Sequence, residues 1–208
     1  MGGTAIIDKI DTREEFAALK NQNRYGAGWD DYTSVLNNSN AAGLSPPAWK
    51  TMGSNGHYGL HFTAGESCFA PFHIKHDWKA GTSGFIHMHF LVDEALVSGE
   101  TITWKLYYTG AKGHHQGQSL TGTRTTITLT YTADGTEVAG EHLIVECSDA
   151  DAIDLLEVDS LFIVEIEMDA ETIASGTAEI FGLMCDIHYQ SDGKLTREKA
   201  PSFTKNGN

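Results

Sequence analysis

The chain has 208 residues, 40% of them hydrophobic and 20% charged, proportions that fit one globular domain with a sizeable core and exclude a chain disordered throughout. Its formal net charge is -14, and no Lys or Arg occurs between Arg124 and Lys194, so the clustered positive charge that phosphate backbones require is missing and no nucleic-acid partner is expected. No apolar run approaches the roughly 20 residues that cross a bilayer, and the opening residues lack the charged-then-apolar order of a secretory signal; a soluble chain with no membrane partner is expected.

Along the chain, Asp11-Thr12-Arg13-Glu14 has the form of a capping box and opens a predicted short helix over residues 15–20. The residues that follow are rich in Asn, Ser and Gly, with little regular period and with Tyr25, Trp29, Tyr32 and Trp49 spaced along them as amphipathic anchors. Residues 1–57 therefore read as an N-terminal arm, a short helix plus an irregular anchoring segment, that packs on its own body or on a neighbour.

Residues 58–208 read as a sandwich domain. Strands are predicted near residues 60–62, 68–74 and 85–92, where Ile86, Met88 and Phe90 alternate with His87 and His89. Ile102, Trp104, Leu106 and Tyr108 then alternate with Thr101, Thr103, Lys105 and Tyr107, and Ile127, Leu129 and Tyr131 with Thr126, Thr128 and Thr130. Ala133-Asp134-Gly135-Thr136 suits a hairpin turn, because Asp-Gly tolerates positive φ. Leu143, Val145 and Cys147 continue the scheme; residues 149–159 suit one helical turn or a loop between sheets. Phe162, Val164, Ile166 and Met168 follow, and finally Phe181, Leu183, Cys185 and Ile187, with Asp186 and His188 on the opposite phase. Dry faces on about eight antiparallel strands predict an all-β jelly-roll sandwich; an immunoglobulin-like sandwich is the nearest competitor, since periodicity carries no strand order.

Because a strand sends successive side chains to opposite faces, His87 and His89 share a face, as do Asp186 and His188, in each case away from the core. Imidazole and carboxylate together suit zinc, iron, nickel or manganese, so His87, His89, His188 and Asp186 are candidate ligands of a transition metal. Cupin-type metal sites point into the barrel, whereas these imidazoles sit opposite the apolar phase; the alternative is a polar cluster on the surface or between subunits. His73, His76 and the pair His114-His115 carry no specific signal, and Glu165 with Glu167, or Asp169 with Glu171, fit a solubilising wet face better than acid–base work on a glycan. No nucleophile elbow and no phosphate-cradling loop is present, so no enzyme activity is expected. Cys68, Cys147 and Cys185 form no CxxC and read as reduced core residues.

The order of these motifs resembles a family of tailed-phage virion proteins: His87 and His89 on one strand; Ile102, Trp104 and Tyr108 with Gly110; then Asp186, His188, Tyr189, Asp192, Gly193 and Lys199. The similarity spans roughly residues 85–201. Where the family pattern usually places an aromatic such as Trp after His-x-His, this chain has Phe90. The resemblance implies a jelly-roll subunit that decorates or cements a phage head, made in the host cytoplasm and carried on the capsid surface, bound to the major capsid protein and commonly a homotrimer. Under that reading Trp29, Trp49, His87, His89 and His188 are interface residues. Two alternatives stand beside it: a tail-fibre or host-recognition knob that meets surface glycan through loop aromatics such as Tyr107 or Trp78, and a cupin-like metalloenzyme using His87, His89 and His188.

Overall fold

A computed structural model describes residues 27–38, 45–54 and 56–193. The helix predicted over residues 15–20 lies outside these. Among the described residues the chain forms eleven strands: β1 Ala27–Val35, β2 Ala48–Met52, β3 His57–Phe62, β4 Ser67–His73, β5 Ser83–Val92, β6 Thr101–Ala111, β7 Thr125–Thr132, β8 Leu143–Glu146, β9 Ile153–Asp154, β10 Leu161–Glu171 and β11 Ile180–Asp192. The expected turn after Ser148 is a single 3-10 turn at Asp149–Asp151. No helix among these residues is long and apolar enough to cross a membrane.

Two antiparallel sheets result. The larger runs β2-β3-β11-β5-β8, with β1 also on β11 and β9 also on β5; the smaller runs β4-β10-β6-β7. Along the chain, β3, β4, β5 and β6 alternate between sheets, and β3 ends beside β11 while β4 ends beside β10. That nesting of first with last and second with next-to-last is the jelly roll, and it excludes the immunoglobulin order, in which the first two strands lie in one sheet.

The alternation seen in the sequence is what closes the core. On β6, Ile102, Trp104 and Leu106 are buried and Thr101, Thr103 and Lys105 only partly so. Trp104 is fully buried, its ring meeting Phe62 at 5.2 Å and Phe90 at 5.8 Å between centroids. From the larger sheet Ile86, Met88, Cys185 and Ile187 face it, with Phe72, Phe162 and Val164 from the smaller. All three cysteines are free and buried, as expected.

Four expectations are corrected. The described part of the arm is not irregular: β1 pairs with β11 from Ala27↔Asp192 to Val35↔Met184, and β2 pairs with β3. β1 shows no apolar period because main-chain pairing holds it, and only Tyr32 and Ser34 turn inward, Tyr32 against Phe72 and Tyr189, Ser34 donating to the Pro71 carbonyl at 2.8 Å. The Asp134-Gly135 turn joins no hairpin, since β7 and β8 lie in different sheets; Gly135 does take a φ of 91°, and the Glu137 carboxylate accepts the N–H groups of Asp134 and Gly135. Leu183 leaves the core phase, because the register of β11 on β5 shifts between Gly182 and Met184 and Leu183 is the extra, half-buried residue. Trp78 is buried, its Nε1 donating to the Thr82 carbonyl, so it is no exposed loop aromatic.

Candidate functional site

The site grows from the central pair of the larger sheet. β5 and β11 are paired with His87 opposite Asp186 and Phe85 opposite His188, so all four candidate ligands from the sequence stand on the sheet's outer face. The neighbouring strands add to it. β8 sets Glu146 opposite His87, and β1 sets Asp31 opposite His188. His142, three residues before Val145, closes one side.

Asp186 is the hub. Its Oδ1 lies 2.7 Å from His87 Nε2, and its Oδ1 and Oδ2 lie 3.1 and 3.0 Å from His89 Nε2. His89 Nδ1 is 2.7 Å from His142 Nε2, with the two rings stacked. His87 Nε2 is also 3.7 Å from Asp31 Oδ1, and its ring stacks on His188, whose Nδ1 is 3.5 Å from Glu146 Oε2. Ligand atoms of His87, His89 and Asp186 all lie within 4.8 Å of one another, and so do those of Asp31, His87 and His188. His87 Nε2 is buried, and its 2.7 Å approach to Asp186 Oδ1 is an ion-pair contact that leaves it without a well-directed hydrogen-bond partner.

These imidazoles face away from the sandwich core, as the sequence indicated, but they are not surface groups. His87 and His89 are each 7% exposed and Asp186 3%. Side chains of the adjacent strands β1 and β8 flank the pair that carries them. His188 is half-buried, and Trp29 and Trp49 remain exposed.

Electrostatics follow the geometry. Burial alone disfavours an ionised His87, but the Asp186 carboxylate, with Glu146 and Asp31 behind it, outweighs this and raises the imidazole above its ordinary range. Burial likewise pushes Asp186 up, and His87 and His89 outweigh it, holding the carboxyl at about 2. Each group thus favours the ionised form of the other.

Beside the hub lies an open cleft of about 230 Å³, lined by Trp29, Phe85, Glu146, Asp149 and His188. Trp29 meets His188 at 4.9 Å and Phe85 at 5.7 Å between ring centroids. His188 belongs to both hub and cleft.

A second cluster was not visible in the sequence. Asp159, at a φ of 61°, gathers three histidines that had carried no signal: His76 Nε2 at 2.7 Å, His114 Nε2 at 2.8 Å and His73 Nε2 at 3.4 Å. Burial raises the Asp159 pKa, and the hydrogen bonds from His114 and His76 outweigh it, leaving a net fall. The residues missed around Asp186 were more accessible to reasoning. Glu146 has the wet phase of its strand; Asp31 shares a face with Trp29. Nothing local marks His142. Glu165, expected on a wet face, is instead 7% exposed and bonded to Ser67 and Arg124.

No protein-family model matches the chain, and no curated protein matches it. Among solved structures, it is similar to a carbohydrate-binding module specific for non-crystalline cellulose, CBM28, with 15% sequence identity and a TM-score of 0.33, covering 79% of this chain and 86% of that one.

Proposed function

We propose that this chain is a structural subunit of a tailed-phage virion, a decoration protein that cements the head by binding the major capsid protein on the capsid surface as a homotrimer, with no enzymatic activity of its own. The observation that supports it best is that residues carrying the family resemblance hold structural positions in the sandwich. His87 and Asp186 face each other across β5 and β11; the hydroxyl of Tyr189 reaches Asp30 and Asp77, both at 3.1 Å; and Trp104 sits at the centre of the core. Such residues specify a stiff sandwich and leave its surface for assembly.

An apolar strip across β1, β2 and β3 supplies a surface of the needed kind. Val35, Trp49 and Tyr58 are 77%, 60% and 63% exposed and line a groove of about 190 Å³ with Leu60 and Leu183. Repeated around a symmetry axis, such a strip meets copies of itself or of a neighbouring subunit. The test combines light scattering with cosedimentation on heads stripped of decoration. A trimer that binds heads, and a Trp49→Ala, Tyr58→Ala double variant that loses either property, are the expected results. A folded wild-type monomer that never associates with heads overturns the reading.

The cleft beside Trp29 favours a second reading, a host-recognition knob binding surface glycan. An exposed indole next to Phe85, with Glu146 and Asp149 at the rim, offers a stacking platform and hydrogen-bond acceptors for a sugar ring. A glycan array separates the two: selective retention abolished by Trp29→Ala supports the knob, and no sugar preference leaves the cement subunit.

A further inference from the structure

The geometry points to a binding site for one divalent transition metal of the zinc class within a single chain, held by Nε2 of His87, Nε2 of His89 and a carboxylate oxygen of Asp186, with Asp31 and His188 flanking the fourth position. The inference is independent of the virion reading and needs no second subunit.

Three observations carry it. The first is convergence: the three ligand atoms lie within 4.8 Å of one another, on strands whose pairing fixes them. Metal–ligand bonds of about 2.1 Å in a tetrahedron place ligands about 3.4 Å apart. The separations of 2.7 to 3.1 Å across the carboxylate therefore need about 0.3 to 0.7 Å of expansion. The second is the orphaned nitrogen. His87 Nε2 is buried, makes no hydrogen bond, and stands between Asp186 at 2.7 Å and Asp31 at 3.7 Å. Native proteins rarely leave such an atom unpaired without a reason, and an ion receiving its lone pair supplies one. The third is outer support. His89 is held through its other nitrogen by His142 at 2.7 Å, the arrangement by which metal-binding imidazoles are oriented and their tautomer set.

Donor chemistry selects the ion. Two imidazoles and one carboxylate suit zinc, iron, nickel, copper or manganese, whereas calcium and magnesium prefer an all-oxygen shell. Binding needs a bare Nε2 on each imidazole, so any proton on His87 Nε2 leaves to solvent as the ion enters, and the one ring proton of His89 stands on Nδ1. His89 then donates from Nδ1 to His142 Nε2, and His142 carries its own proton on Nδ1. Uptake is therefore weaker at acid pH. His188 borders the cleft beside Trp29, so the fourth position opens toward solvent and not into the core.

The experiment uses the full chain, stripped with chelator and titrated with Zn²⁺ by calorimetry and with Co²⁺ by visible absorption. One equivalent of Zn²⁺ per chain is expected, with Co²⁺ bands of a nitrogen- and oxygen-ligated site and quenching of the nearby Trp29 fluorescence. His87→Gln and His89→Gln should each weaken Zn²⁺ binding at least about 100-fold, and His142→Ala, at an exposed position that does not endanger folding, about 10- to 100-fold. His114→Ala, in the Asp159 cluster, should leave it unchanged. Absence of stoichiometric binding in the wild type overturns the inference, as does binding that survives undiminished in His142→Ala together with folded His87→Gln.

Discussion

Asp186 and His87 stand directly opposite each other on adjacent strands, Oδ1 of one 2.7 Å from Nε2 of the other, with 3% and 7% of each residue exposed. A charge pair so deeply enclosed on the outer face of a sheet ties stability to ionisation. Removing one partner is costly: Asp186→Ala leaves the buried His87 without its carboxylate partner and should destabilise the chain by about 3–5 kcal/mol in denaturant unfolding. A loss below about 1 kcal/mol would show the pair to be solvated.

The same pair sets a pH window. His87 is raised in the folded chain above its ordinary 6.5, so its contribution is fully present below that value and is lost as pH rises through the folded pKa. Asp186 is lowered from 3.8 to about 2, so its contribution is present above 3.8 and is lost as pH falls toward 2. Metal-free melting temperature should peak between these limits. Because Asp159 also contributes to the acid limb, the alkaline limb is the specific one. His87→Gln should flatten it, and parallel decline of wild type and variant from about pH 6 to 8 would refute the assignment.

Trp104 carries both the largest buried side chain and an unpaired buried indole nitrogen. Trp104→Ala should cost about 3–5 kcal/mol, through lost contacts with Phe62 and Phe90 and a residual cavity. Trp104→Phe removes the unpaired donor while keeping an aromatic ring, so it should cost at least about 2 kcal/mol less. Equal losses in the two variants would mean the indole N–H has a partner.

Gly182 sits where β11 passes closest to the core. A Cβ there would lie 2.7 Å from the Phe62 ring and 2.9 Å from both Leu36 and Met88. Gly182→Ala should therefore destabilise by about 1–3 kcal/mol through overpacking, read from the unfolding midpoint. A neutral effect would show that the neighbouring strands give way.

The thiols should be inert. Burial pushes Cys68 up to about 12 and Cys147 up to about 11, and raises the fully buried Cys185 well above its ordinary value, so few thiolates exist near neutrality. A thiol-specific chromogenic reagent should react with none of the three in the native chain and with all three after denaturation. Rapid labelling of any one in the native state would contradict its burial.

The dry faces of β5, β6, β7, β10 and most of β11 were legible from alternation, because parity is a local property of an extended chain. So was the common face of His87 with His89 and of Asp186 with His188. Beyond that, parity is silent. It places a side chain on a face but does not say what surrounds it, so the burial of His87 and His89 emerged only once β1 and β8 flanked the central pair. The bulge that displaces Leu183 and the pairing of β1 were invisible for a related reason: a register shift and a strand held by its main chain leave no apolar period.

By itself, then, the sequence determined the class of the molecule, an acidic all-β sandwich whose histidine-bearing phases face away from the core, because composition and two-residue periodicity act along the chain. Only the tertiary structure decided which strands are neighbours. Pairing β5 with β11 brought residues nearly a hundred positions apart within 2.7 Å, and nesting β3 beside β11 and β4 beside β10 made the sandwich a jelly roll. It is that order that brought His87, His89 and Asp186 together in one enclosed site, with His188 at its open side.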